Sequence, residues 1–151
     1  MARPVQDPFL AAALEQARKS LAEGGIPIGS VLVHEGRIIA RGHNCRVQSG
    51  SAIDHGEMNC LRNAGRLSAS VYRASTIYST LSPCPMCSGA IVLYKIPRVV
   101  VGENRTFLGA EDYMRSHGIQ VTVLQDEECI TLMRDFIRSR PELWNEDIGE
   151  L

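Results

Sequence analysis

Four side chains in two short segments have the types and spacing to do chemistry together. His55-Gly56-Glu57 offers an imidazole with a carboxylate two residues on, and Pro83-Cys84-Pro85-Met86-Cys87 offers two thiols three residues apart. Cysteines at i and i+3 at the start of a helix share a face. Pro85 suits the first helical position, which makes Cys84 the expected N-cap, and Asp54 could cap a second helix containing His55. Two helix N-termini would then aim their positive ends at one point, a setting that favours thiolates. One imidazole and two thiolates make three ligands for a tetrahedral zinc ion. Structural zinc sites close with four protein ligands, whereas catalytic sites leave a corner for water. Glu57 could reach that water and carry its protons. Two thiolates and a neutral imidazole already cancel the charge of Zn2+, so the ion is a milder Lewis acid than one held by three imidazoles, and a carboxylate base becomes a requirement.

Plainer readings compete for each residue. The Cys84/Cys87 pair alone could be a redox dithiol, Glu57 alone could complete a capping box with Asp54, and His55 alone could be a core or surface histidine. Taken together in this order, the metal reading wins. His34, His43 and His117 fall in turn or loop contexts; Cys45, Cys60 and Cys129 read as buried small apolar groups; Met58, Met86, Met114 and Met133 read as packing residues.

The elements that must position these residues follow from periodicity. Asp7 opens a helix with Phe9, Leu10, Ala13, Leu14, Ala17 and Leu21 on one face, ended by Gly24-Gly25. Residues 28–34 and 37–41 read as strands joined across Glu35-Gly36, a connection so short that it forces an antiparallel hairpin. A Gly/Asn/Ser-rich loop spans 42–51, and a short helix runs from about Asp54 to Gly65. Residues 75–80 form a strand, the Cys84/Pro85 helix ends by Lys95-Ile96-Pro97, residues 98–102 and 119–125 are strands, and Asp126 to Arg138 is a helix stopped by Pro141. After one hairpin, strands alternate with helices. That order implies a mixed sheet with helices on both faces and ligand sites where strands run into helices.

Composition bounds the rest. The 151 residues include 44% hydrophobic positions, enough for one ordinary core and one domain. Sixteen basic against seventeen acidic residues give a net charge of -1, which argues against a nucleic-acid partner. Apolar runs are strand-sized, so no membrane span is expected. Met1-Ala2-Arg3-Pro4 leads straight into the first helix without the apolar stretch of a secretory signal, which suggests the cytoplasm. Five cysteines, an odd number, do not read as a disulfide framework. The single Trp, Trp144, lies beside an acidic run near the end of the chain. Docked as a lid, this tail would exclude water, leave little space for a ribose and repel phosphate.

H-x-E…P-C-x-x-C is the pattern of the zinc nucleobase deaminases, whose Glu is a general acid/base and not a ligand. Around it, Gly24-Gly25-Ile26-Pro27-Ile28-Gly29, Gly42-His43-Asn44, Thr80-Leu81-Ser82-Pro83-Cys84, Cys87-Ser88-Gly89-Ala90, Ile96-Pro97-Arg98, Val101-Gly102-Glu103-Asn104 and the tail from Trp144 to Glu150 extend the match over nearly the whole chain. The chain thus resembles the cytidine-deaminase superfamily, and within it the fungal-type cytosine deaminases. The resemblance implies a three-layer α/β/α sandwich with a mixed five-stranded sheet, in one zinc-dependent domain over residues 1–151 with residues 141–151 as the active-site lid. It implies that His55, Cys84 and Cys87 hold one Zn2+ and that Glu57 shuttles protons. Asn44 and the Gly56 backbone would meet the O2/N1 edge of a pyrimidine, the Ser82 carbonyl and Asp147 carboxylate its exocyclic amine, and Phe107 and Trp144 its ring faces. The implied activity is hydrolysis of the free base cytosine to uracil and ammonia by a cytoplasmic homodimer. Deamination of guanine or cytidine, and a non-catalytic zinc- or RNA-binding member of the fold, are the alternatives. Asn145 departs from the family pattern, which has an aromatic beside Trp144, and the loop after Phe107 is one residue shorter.

Overall fold

The computed structural model describes residues 5–150. The opening residues 1–4 and Leu151, the last residue of the expected lid, lie outside the described residues. Helix α1 (Pro8–Ala22) begins behind Asp7, whose Oδ1 accepts from the backbone N–H groups of Phe9 and Leu10 at 2.9 and 3.2 Å. The i, i+3, i+4 spacing buries Leu10, Ala13, Leu14 and Ala17; Leu21, expected on the same face, is 42% exposed. Strands β1 (Gly29–His34) and β2 (Arg37–His43) form the expected antiparallel hairpin across Glu35-Gly36. His34 and His43, read as turn or loop residues, are the last residues of these two strands.

The expected loop contains a one-turn helix, α2 (Arg46–Ser49), before α3 (Gly56–Ala64). A second unanticipated short helix, α4 (Ala69–Arg73), leads into β3 (Ser75–Ser79). Then follow α5 (Pro85–Tyr94), β4 (Arg98–Val101), the unanticipated α6 (Glu111–Ser116), β5 (Gln120–Val123), α7 (Glu127–Ser139) and α8 (Pro141–Asp147). Pro141 does end α7, and it also opens α8 as its first residue, where its missing N–H costs nothing.

The sheet order is β2-β1-β3-β4-β5, with β1 antiparallel to both neighbours and β3, β4 and β5 mutually parallel. Strand alternation sends Val31, Val33 and Tyr78 to one face, where they pack with α1 and Cys129 of α7. Leu32, Ile77, Val99 and Val101 go to the other face with Cys60 of α3, Ile91 of α5 and Met114 of α6. The result is the expected three-layer α/β/α sandwich around a mixed five-stranded sheet. A third apolar cluster, Ile26, Ile28, Leu81, Met133, Phe136 and Trp144, caps the sheet end where β3 and β4 give way to their following loops. Cys60 and Cys129 are buried as expected, whereas Cys45 is only half-buried, at the edge of the 44–55 loop. Among the described residues no helix is long and apolar enough to cross a membrane.

Candidate active site

The site lies beyond the carboxyl end of the parallel strand β3, where the chain turns into α5. Cys84 is the N-cap of α5 with Pro85 first in the helix, as the sequence predicts. On the facing side His55, not Asp54, is the N-cap of α3, and it makes no side-chain capping bond. Asp54 is drawn away by tertiary partners: its carboxylate accepts from Ser49 Oγ at 2.8 Å and Asn59 Nδ2 at 3.2 Å and pairs with Arg62 at 3.2 Å. Burial pushes the Asp54 carboxyl up, but these partners outweigh it and hold it below the usual range. The capping box with Asp54, the competing reading of Glu57, is therefore not formed, and neither is the expected Asp54 cap. The loop is pinned by Asn44 N–H to the Ile28 carbonyl and Cys45 N–H to the Asp54 carbonyl, both at 2.9 Å, which delivers His55 to the start of α3 opposite Cys84.

One donor atom from each of His55, Cys84 and Cys87 lies within 4.8 Å of the others. His55 Nδ1 and Cys84 Sγ are 3.5 Å apart; zinc bonds of ordinary length at a tetrahedral angle put N and S about 3.6 Å apart. No carboxylate joins this group among the described residues, so the set is three protein donors and fits zinc with a fourth corner open. Its protonation points the same way. Hydrogen bonding with Cys87, and then with His55, holds the Cys84 thiol down at about 4. Sharing that proton, together with burial, drives Cys87 well above its ordinary value. Burial opposes the charged form of His55, but the bond to Cys84 and the negative charges of Asp147 and Glu57 outweigh it and raise its pKa. These are donors competing for protons where a cation would satisfy all of them.

Glu57 is buried in the first turn of α3. Burial, then the Cys84 thiolate, pushes its pKa up to about 7. It helps to line a small cavity together with Ile28, Leu81, Phe107, Trp144, Ile148, His55, Cys84, Ser82 and Asp147. With α8 seated the cavity measures ≈ 10 Å³, room for about one water. It shares His55, Cys84, Phe107, Asp147 and Ile148 with an outer vestibule of ≈ 270 Å³ bordered by Ala52, Pro85 and Met86. Phe107 and Trp144 meet edge-on, with ring centroids 5.6 Å apart.

Asn44 and Gly56 are not among the residues that line either cavity. Asn44 is fully buried and donates from Nδ2 to Asp147 Oδ1 at 2.9 Å. Gly56 is the first residue of α3, and a Cβ there would lie 3.0 Å from the Ile28 carbonyl, so a larger residue must push Ile28 outward. Asp147 Oδ1 also lies 3.7 Å from His55 Nε2 and 3.9 Å from Arg46 Nε. Burial raises the Asp147 pKa against the opposing pull of His55, Asn44 and Arg46.

Periodicity missed two residues here. Arg46 donates from Nε to the Ala52 carbonyl at 2.8 Å and from Nη1 to Glu146 at 3.0 Å, tying the 44–55 loop to α8. Glu111 is buried and accepts from Ser82 Oγ. The one local signal for Arg46 is its place two residues after Asn44; nothing local marks Glu111.

The zinc-binding region of the cytidine and deoxycytidylate deaminases matches residues 4–103. The chain belongs to this deaminase family. It is 55% identical over 142 residues to a cytosine deaminase of Candida albicans, covering 93% of this chain and 95% of that protein. It is 40% identical over 145 residues to a tRNA-specific adenosine deaminase of Streptococcus pyogenes, covering 89% and 91%. A solved structure from work on A-to-I editing by tRNA:A34 deaminases superposes with a TM-score of 0.73 at 29% identity, covering 84% of this chain and 99% of that one. A guanine deaminase from Nitrosomonas europaea shares the fold, with a TM-score of 0.72 at 20% identity over 90% of this chain and 87% of that one. Zinc is this deaminase's cofactor.

Proposed function

We propose that the protein hydrolyses the free base cytosine to uracil and ammonia, with His55, Cys84 and Cys87 as the zinc ligands and Glu57 as the proton carrier. The observation that carries the substrate assignment is the 55% identity to the Candida albicans cytosine deaminase across almost all of both chains. The donor set and the enclosed Glu57 support the chemistry. Zinc, when bound, supplies the Lewis acidity that brings water within reach of ionisation at neutral pH.

The chain's own residues do the rest. Glu57 accepts a proton from the attacking water and delivers it to ring N3, which makes C4 electrophilic, and the water oxygen adds to C4. Glu57 then moves a proton from the new hydroxyl to the amino group, which leaves as ammonia. A carboxylate with a pKa of about 7 can both accept and release a proton at neutral pH. Asn44 and the Gly56 backbone hold the O2/N1 edge, the Ser82 carbonyl and Asp147 receive the exocyclic amine, and Phe107 and Trp144 enclose the ring. Residues 141–150, within a single domain, act as a lid that shuts water out and must lift to admit a base, since the cavity beneath it is too small for one. We further propose a homodimer working in the cytoplasm. Exposed Leu93 and the apolar groove holding Ile53 and Tyr94 offer it a face, and sedimentation equilibrium checks it.

Incubation of the zinc-loaded protein with cytosine, cytidine, guanine, adenine and tRNA, with ammonia as the readout, tests the substrate. Turnover of cytosine is expected. Ammonia from cytidine or tRNA without any from cytosine overturns the assignment. Glu57→Gln should keep its zinc and lose on the order of 10²–10⁴-fold in kcat; near-normal turnover removes Glu57 from its role.

A further inference from the structure

The mechanism leaves unused a buried carboxylate bonded to the cavity-lining residue Ser82. Glu111, the first residue of α6, is 3% exposed. Its Oε2 accepts from Ser82 Oγ at 2.6 Å, and its Oε1 accepts from Asn104 Nδ2 at 3.3 Å and lies 3.5 Å from Arg115 Nη1. Ser82 Oγ accepts in turn from Gly109 N–H at 2.9 Å, and Ala110 N–H donates to the Pro83 carbonyl at 3.0 Å. A Cβ at Gly109 would lie 1.9 Å from that same carbonyl, so glycine alone permits the two segments to come this close. Asn104 is held at its far side by Gln125 Nε2, which donates to its Oδ1 at 2.6 Å. Glu103, fully buried, accepts from the N–H groups of Arg105 and Thr106 at 2.8 and 2.9 Å and folds the turn between them. The segment so bracketed, residues 103–110, carries Phe107 to its edge-on contact with Trp144. One carboxylate therefore joins two walls of the cavity, the Ser82 segment and the Phe107 loop.

A first-turn Glu complements a helix dipole anywhere on a protein surface. That does not require burial, nor a bond of 2.6 Å to a residue that lines the cavity. Enclosing a carboxylate is costly unless its oxygens are satisfied, and here both are spent on the two walls. We infer that Glu111 is a positioning residue for substrate binding: by fixing the Ser82 hydroxyl it sets the orientation of the Ser82–Pro83 segment, and with it the carbonyl that receives the exocyclic amine, while holding the Phe107 loop against the ring. This rests on the assignment of that carbonyl to the amine under Proposed function.

Four zinc-loaded variants test it: Glu111→Ala, Glu111→Gln, Ser82→Ala, which keeps the carbonyl, and the double Glu111→Ala/Ser82→Ala. The readouts are kcat and KM for cytosine, zinc content, and acrylamide quenching of Trp144 without any base present. Glu111→Ala should raise KM about tenfold or more with a smaller change in kcat, as expected for loss of a hydrogen bond to a charged group. Zinc content should hold and Trp144 should become more quenchable. Glu111→Gln, whose amide oxygen can accept the same hydroxyl, should stay within about threefold of the wild-type KM. The double variant should be little worse than Glu111→Ala, because both single changes remove one bond. Wild-type KM and quenching in Glu111→Ala overturn the inference, as do fully additive losses or a Gln variant as impaired as Ala. Should Glu111→Ala fail to fold, Ser82→Ala removes the other end of the same bond and is read against the same expectations. If the wild-type protein leaves cytosine untouched, the substrate assignment is what fails. The quenching series then still decides on Glu111: a rise in Ala that Gln reverses upholds its hold on the Phe107 loop, and no rise overturns it.

Discussion

At position 57 the chain accepts a stability cost by enclosing a carboxylate, the group proposed above as the proton carrier. Glu57 is enclosed, and its pKa stands at about 7 against an ordinary 4.5. The folded state therefore holds this proton more tightly than the unfolded chain does. The sign follows from linkage. Below pH 4.5 both states are protonated and nothing is lost. Between 4.5 and 7 the unfolded chain ionises first, so stability declines as pH rises, and above 7 the full cost is present. A shift of that size corresponds to about 3 kcal/mol. Glu57→Gln should accordingly stabilise the metal-free protein by about that much at pH 8 and by nothing at pH 4, read from urea unfolding at the two pH values. An equal gain at both would mean that ionisation of Glu57 is not what the folded state resists. That Glu57 lies beside His55 was legible because a two-residue offset is a covalent fact. Asp54 was misread because the capping rule it satisfied locally lost to Ser49, Asn59 and Arg62, of which only the fold determines the meeting.

Among the elements, α8 is the one that the proposed lid is built on and whose existence periodicity concealed. A proline that stops one helix can begin the next, and seven residues are too few to show a repeat. The same holds for α2, α4 and α6, of four, five and six residues. Longer elements with a clear apolar face, α1 and α7, stand where the pattern put them. What seats α8 is apolar burial of Trp144 and Ile148 in the cluster at the sheet end, together with the Arg46 links to Glu146 and the Ala52 carbonyl. The Arg46 side chain is 10% exposed, but its partner Glu146 is 63% exposed, so the ion pair itself adds little and the hold on α8 rests on the two hydrogen bonds together. Arg46→Ala should loosen α8 without unfolding the sandwich. Expected are a several-fold rise in KM for cytosine, on the order of 1–2 kcal/mol in binding, and faster limited proteolysis after residue 140, with unchanged far-UV circular dichroism. Unaltered proteolysis and KM together would show that apolar packing alone holds the tail.

For the molecule as a whole, the order hairpin then alternating strand and helix was enough to specify a mixed sheet covered on both faces. Strand order was not, since β1 sits centrally between β2 and β3 through pairings that no local pattern encodes. The sandwich brings His55, Cys84 and Cys87 together from two helix starts on the same face of the sheet, and a zinc ion held there, as proposed, would couple its binding to folding. Chelation should therefore lower the melting temperature as well as abolish turnover, and added zinc should restore both; an unshifted melting temperature would place the ion outside this cluster. The cysteines carry one more consequence. Cys60 is pushed up to about 12 and Cys129 higher still by burial, and Cys45 is raised by the same cause, while Cys84 alone sits at about 4 on a partly open helix start. A mild alkylating reagent at neutral pH should thus find one fast thiolate in the chelated protein and none in the loaded one, so the amplitude of rapid labelling counts the metal-free chains in any preparation.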